Sequence, residues 1–215
     1  MGVMDKKALY AITYGLFVLT AKEGEKDNGC IVNTVQMLTS DPTRVVVFVN
    51  KSNYTEGMIA RTGEFNVSIL QRDTPFALFK HFGFSSGKDT NKFEGRVYPR
   101  SENGLYYIYE NSNAYLSCKV VGAHDYGTHT LFVGEVVEAK TLSGHKSLSY
   151  EQYLTEVKPQ TKPAPKPASK EAEKDTPAQE KWVCKVCGYV HEGPLPDDFI
   201  CPWCKHPASD FERVS

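Results

Sequence analysis

Residues 29–59 read GCIVNTVQMLTSDPTRVVVFVNKSNYTEGMI, and residues 63–70 read GEFNVSIL. From Cys30 to Leu38 and again from Arg44 to Asn50 the run is rich in β-branched and apolar residues, with Ser40-Asp41-Pro42 between as a turn. Asn50 to Tyr54 leaves the second strand through polar residues. Thr55 to Thr62 then predicts a short helix that stops at Gly63, a residue suited to a left-handed C-terminal cap. Phe65 to Leu70 is strand again, its apolar residues alternating with Asn66 and Ser68. The order strand, turn, strand, helix, strand sets a mainly β chain with helical excursions.

The same pattern extends outward in both directions. Strands are predicted over Ala8 to Lys22, Leu105 to Tyr109, Ala114 to Val121 and Thr128 to Ala139. A second helix is predicted to start with Thr74 as N-cap and Pro75 at the first helical position, running to about Phe82. Many short strands with two helices predict a closed or nearly closed barrel, because closure removes exposed edges. No internal repeat is visible.

The whole chain has 215 residues and a formal net charge of −1, so it carries no electrostatic footprint for nucleic acid or an anionic bilayer. Lys6 and Lys7 ahead of the run from Ala8 to Ala21 mimic a signal peptide. Tyr10, Thr13, Tyr14 and Thr20 interrupt that run, and no small-residue cleavage site follows before Lys22. Gly2 is not followed by Ser or Thr at position 6, so the myristoylation pattern fails. Cys30 and Cys118 stand alone in strand-like contexts and read as reduced, buried packing residues, so a cytoplasmic protein is expected.

Composition divides the chain into residues 1–157, a tether at 158–181 and a module at 182–215. The tether holds five prolines and six lysines, with no aromatic or large aliphatic residue. It cannot bury enough apolar surface to offset its ordering entropy. Extended, it reaches at most roughly 70 Å at about 3.1 Å per residue.

The module contains two C-x-x-C pairs, Cys184/Cys187 and Cys201/Cys204. Paired knuckles of this kind can set four thiolates tetrahedrally around one ion. A segment this short has too small a core to fold alone, so the metal supplies most of its stability. Four thiolates suit zinc or iron, and the spacing leaves both open. The string WVCKVCGYVHEG at 182–193, the CPWC pair at 201–204 and the closing Asp210-Phe211-Glu212 resemble rubredoxin, in particular the short rubredoxin module that ends rubrerythrins. The resemblance includes Trp182, Tyr189 and Phe211 around the site, and it implies a single iron held by Cys184, Cys187, Cys201 and Cys204.

Gly83-Phe-Ser85-Ser-Gly87 fits the G-x-S-x-G string of serine hydrolases, but that motif needs a strand before the serine and a helix after it. Here a helix-like segment precedes it and a polar stretch follows, so no hydrolase is expected. The run 29–70, together with FGFSSGKDTNKF at 82–93, GTHTLFVGEVVEA at 127–139 and SYEQY at 149–153, resembles the flavin reductase-like FMN-binding split barrel. The resemblance implies FMN at Asn33, Thr34, Val35 and Gln36 along the pyrimidine edge of the isoalloxazine. It implies the phosphate at Asn50, Lys51, Ser52, Asn53, Tyr54 and Thr55, where a strand hands over to a helix N-terminus that favours an anion. Phe84, Ser85, Ser86 and Gly87 are implied to close over the flavin or meet the nicotinamide. From the residues alone, 50–55 is equally a polar loop with a cap, and 82–93 a flexible surface loop. His129 lies near the flavin by its place in the family strand, although an isolated strand His is ordinarily structural. No catalytic side chain is assigned.

Together the two parts resemble the high-molecular-weight rubredoxins of anaerobic bacteria. That likeness implies an oxidoreductase in which NAD(P)H reduces FMN, FMN passes electrons singly to the iron, and the iron serves a protein acceptor. It implies a flavodiiron protein reducing O2 or NO as that acceptor, and a homodimer formed through the flavin domain. Two other readings stand beside it: an electron carrier reduced by a separate reductase, and a flavin-binding protein whose module is a structural zinc ribbon.

Overall fold

Where one strand was predicted from Cys30 to Leu38 there are two, and the break at Asn33-Thr34 shapes the barrel. The computed structural model describes residues 6–159, 180–184, 189–201 and 207–214. Two compact units are present, Met1–Lys158 and Pro159–Ser215. Most of the predicted tether, with Cys187, Gly188 and Cys204, lies outside the described residues.

The first unit is built on strands β1 (Phe17–Glu23), β2 (Lys26–Val32), β3 (Val35–Ser40), β4 (Thr43–Asn50), β5 (Glu64–Leu70), β6 (Ser112–Asp125) and β7 (His129–Thr141). Helix α1 (Tyr54–Thr62) joins β4 to β5, and α2 (Phe76–Gly83) follows β5. All ladders are antiparallel, in the order β2-β1-β5-β6-β7-β4-β3. The two edge strands, β2 and β3, are therefore consecutive in sequence and joined only by Asn33 and Thr34. Laid flat, seven strands would hold the edges apart by about 29 Å at about 4.8 Å per strand. The connection from Val32 to Val35 spans at most about 11 Å, three steps of about 3.8 Å. The sheet must curl until its edges meet. Among the described residues no ladder joins β2 to β3, so the barrel stays split there.

Strand alternation sorts the core into two layers. Phe17, Leu19 and Ala21 point inward with Cys30, Val32, Val45, Val47, Val49, Phe65, Val67, Cys118 and Phe132, and Met58 and Ile59 of α1 join them. Leu16, Val18 and Leu70 point the other way and pack with Phe79 and Phe82 of α2, Phe93, Ile108, Leu148 and Tyr153. Gly63 ends α1 at φ 72° and donates its N–H to Ile59 O at 2.8 Å, as the cap reading expected.

Other sequence expectations shift for identifiable reasons. The strand predicted from Ala8 begins only at Phe17; Lys6–Ala11 forms a 3-10 helix instead. Leu105 to Tyr109 makes no strand: Tyr106 forms a single bridge with Arg100, and the segment is held by side chains, Thr20 Oγ1 donating to Tyr106 O and Ser68 Oγ accepting from Ile108 N. Pro75 rather than Thr74 caps α2, because the Thr74 hydroxyl already donates to Gln71 O and Asn111 O.

In the second unit, β8 (Lys181–Cys184) lies between β9 (Val190–Glu192) and β10 (Phe211–Arg213). Cys184, Cys201 and Phe211 form its buried cluster, with Trp182, Tyr189, Leu195 and Phe199 packed against it.

Candidate functional site

Two of the segments singled out in the sequence lie side by side at the connection between β2 and β3, and the third reaches the first turn of α1 through Asn28. Thr34, in the connection, donates its hydroxyl to Phe48 O at 2.7 Å, and Val35 and Gln36 pair with Val47 and Val46 of β4. Residues 33–36 thus lie beside the end of β4, where Asn50 sits opposite His129 of β7. Asn50 folds the next turn around itself. Its Oδ1 accepts from Ser52 N at 2.8 Å, and its carbonyl accepts from Asn53 N at 2.9 Å. Lys51 N donates to Thr128 O at 3.0 Å, tying the turn to the start of β7.

Asn53 occupies the N-cap of α1, but its side chain makes no capping bond among the described residues. The first amides of a helix have no intrahelical acceptor, so an uncapped start leaves donors for an anion. Lys51 Nζ stands 2.6 Å from Asp125 Oδ2 at an exposed position. The hydrogen bond to Asp125, and then its charge, raise the Lys51 amine above its ordinary pKa. The same bond from Lys51, with the N–H of Gly127, lowers Asp125. Lys26 Nζ lies 4.6 Å above the Tyr54 ring and adds a second cation at the same turn.

Thr55 is fully buried and turns inward, its Oγ1 accepting from Asn28 Nδ2 at 2.9 Å. Asn28, on β2, is also where the third segment arrives. A Cβ on Gly87 would fall 2.1 Å from Asn28 Oδ1, so only glycine lets the loop approach this closely. Phe84 stacks edge-on with Phe76 at 5.7 Å, and Ser85 Oγ donates to His81 O at 3.1 Å. Ser86 O accepts from Asp89 N and Thr90 N, closing the loop into a turn. Helix α2 precedes Ser85 and no helix follows, so the hydrolase string has neither of its required neighbours. His129 Nδ1 pairs with Thr128 Oγ1 at 2.9 Å, next to the Asn50 turn.

Asn28 and Lys26 stand against residues of these segments, Lys92 lies behind the loop, and the sequence reading singles out none of the three. Lys92 is 3% exposed and donates to Gly29 O and Phe82 O, both at 2.8 Å. Burial lowers its pKa, with the nearby Cys30 opposing. Their partners are not local: Asn28 stands one position before the run that carries the resemblance, and Lys92 sits in the polar part of the 82–93 segment, which from the residues alone reads as a surface loop. Cys30 and Cys118 are buried thiols, as expected. Burial pushes Cys118 up to about 12 and raises Cys30, where a hydrogen bond with Thr55 and the charge of Lys92 act against it.

These residues fit a flavin mononucleotide. An uncapped helix start with Lys51 suits a phosphate, amide and backbone groups at 33–36 suit a pyrimidine edge, and half-buried Val35 and Tyr54 offer apolar wall. In the second unit Cys184 is 1% exposed and Cys201 fully buried within one aromatic cluster, and Cys184 N donates to Tyr189 O at 2.8 Å. Two buried cysteines in one small cluster suit a thiolate-bound metal.

Residues 9–155 match the flavin reductase like domain, and residues 182–212 match the rubredoxin-like domain of rubrerythrin. The chain is 36% identical to the high molecular weight rubredoxin of Moorella thermoacetica, covering 98% of this chain and 100% of that protein. It is 38% identical to the ferric-chelate reductase (NAD(P)H) of Archaeoglobus fulgidus, over 74% of this chain and 94% of that one. Among solved structures, the NADH:FAD oxidoreductase of Streptomyces globisporus superposes with a TM-score of 0.60 at 21% identity, covering 69% of this chain and 92% of that one. The FMN-binding protein of Thermus thermophilus superposes with a TM-score of 0.59 at 21% identity, covering 67% and 79%. At such identities the two structures speak for the fold alone. The chain belongs to the flavin reductase-like family, in the form that carries a rubredoxin-like domain at its C-terminal end, as in the high molecular weight rubredoxins.

Proposed function

We propose that this protein is an NAD(P)H-dependent oxidoreductase that passes electrons through FMN in the barrel to an iron in the C-terminal module, and on to a protein acceptor. The observation that carries the reading is one chain holding both parts, matched end to end by a high molecular weight rubredoxin. Bound flavin supplies the exchange between a two-electron hydride donor and a one-electron metal.

The chain's own residues bind and orient. Lys51 and the start of α1 hold the phosphate, with Asn50, Ser52, Asn53 and Tyr54 shaping that turn. Asn33, Thr34, Val35 and Gln36 line the edge of the ring, and Phe84 to Gly87 cover it. Cys184, Cys187, Cys201 and Cys204 hold the iron. The ferric-chelate reductase among the relatives supports NAD(P)H as donor. We further propose a flavodiiron protein, reducing O2 or NO, as the acceptor, and the cytoplasm as the setting; among the described residues no helix is long and apolar enough to cross a membrane.

A homodimer completes the reading. Val45, Val47 and Val49 point into the barrel, so Val46 and Phe48 point out, beside their partners Val133 and Leu131 on β7. Phe48 is 38% exposed. An outward apolar strip of this kind suits a second copy of the chain.

The test is an anaerobic visible spectrum of the purified protein before and after NADH. Flavin bands over ferric-thiolate absorption, both bleaching, are expected. Flavin bands with zinc in place of iron would remove internal electron transfer. Iron that stays oxidised while flavin is reduced would do the same.

A further inference from the structure

The loop Phe84–Asn91 is held down by a lysine that binding and electron transfer do not use. Lys92 is almost wholly buried, and its described partners are two backbone carbonyls rather than a carboxylate. A buried ammonium without a counter-ion is costly, so its place needs a reason. β2 is an edge strand, and the carbonyls on its free side must find partners outside the sheet. Gly29 O finds Lys92. Phe82 O belongs to the last turn of α2, where carbonyls also lack intrahelical partners. One side chain therefore joins a sheet edge, a helix end and the C-terminal foot of the loop.

The other foot returns to the same place. Ser85 Oγ donates to His81 O at 3.1 Å, and His81 Nε2 lies 2.6 Å from Lys92 O. Between the feet, Gly87 rests on Asn28, whose amide reaches Thr55 in the first turn of α1. Strand β2 thus carries the loop at Asn28 and Gly29 and carries the phosphate-binding turn at Asn28.

We propose that Lys92 is a positioning residue of the flavin site: it fastens the loop Phe84–Asn91 to the free edge of β2, so that the loop and the α1 turn are registered on one strand. This rests on the flavin reading above. Lys92→Met, made in the full chain, keeps the length and removes the donors. FMN affinity, read by flavin fluorescence, falls at least about tenfold, the scale of losing hydrogen bonds from a charged group. Amide exchange at Lys88, Asp89 and Thr90, measured without flavin, speeds up. With FMN saturating, KM for NADH rises while kcat stays within about threefold. A lysine that serves stability alone would lower the unfolding midpoint and leave FMN affinity and those amides as in the wild type, and that result overturns the proposal.

If Lys92→Met does not fold, Gly87→Ala carries the test. It lifts the tip off Asn28 with Lys92 in place and weakens FMN binding. Wild-type FMN affinity in Gly87→Ala overturns the registration on β2. A wild-type chain that binds neither FMN nor FAD overturns the flavin reading instead, while the exchange at residues 88–90 still reports whether the loop is fastened.

Discussion

Lys51 and Asp125 are both exposed, yet each stabilises the other's charged form across 2.6 Å. Since Lys51 is raised and Asp125 lowered, the pair stays ionised across the neutral range, and the amine stays available to a dianionic phosphate. Exposure makes the contact sensitive to salt and modest as a contribution to folding. Under the proposed function its role is in binding. Lys51→Ala is expected to weaken FMN about tenfold, the scale of one charge-assisted hydrogen bond, and to leave riboflavin, which lacks the phosphate, unchanged. Isothermal titration with both ligands checks this; an equal loss for the two would mean that Lys51 acts through the fold. The neighbouring Thr55 shows how little a residue type says about its direction. The resemblance implies Thr55 at the phosphate, yet its hydroxyl accepts from Asn28 inside the barrel.

The strands β4 and β7 carry two opposite tasks on alternate residues. Val45, Val47, Val49 and Phe132 fill the barrel, while Val46, Phe48, Leu131 and Val133 form the outward strip. A strand exposed to water on its outer face ordinarily reads apolar-in, polar-out. β4 is apolar on both sides from Val45 to Val49, the pattern of a strand covered twice. Phe48→Glu is expected to break the proposed dimer, because it would bury an unpaired charge costing about 2–5 kcal/mol in that contact. Sedimentation velocity should then show monomers with unchanged far-ultraviolet circular dichroism. Dimers that persist in this variant would remove the strip as the interface.

The whole molecule joins a barrel with two buried layers to a module with a small core, for which a bound metal is proposed. In the barrel two layers of buried side chains fill the core. In the module the described buried cluster has three members, two of them cysteines. Cys184→Ser is therefore expected to abolish the ferric-thiolate colour and transfer to an external acceptor, while flavin reduction by NADH continues and the unfolding midpoint of the barrel is unchanged. Stopped-flow absorbance and calorimetry on the full chain read these outcomes. Normal transfer to the external acceptor in this variant would reverse the proposed electron order.

The sequence by itself determined the mainly β class, the cap at Gly63, the buried thiols and the C-x-x-C spacing. Each is written in neighbours: alternation, a stop residue, or two knuckles a few positions apart. It also named residues 33–36 and 50–55, which the structure sets side by side through β4. Tertiary structure alone decided that Cys30 to Leu38 is two strands, because Asn33 and Thr34 look like strand until the sheet order requires its edges to meet there. It alone supplied Asn28 and Lys92, which reach Thr55 and Gly29 across 27 and 63 residues of chain. A polar side chain in a β-rich sequence shows its type and not its partner, and only the closure of the sheet tells which carbonyl a buried lysine will find.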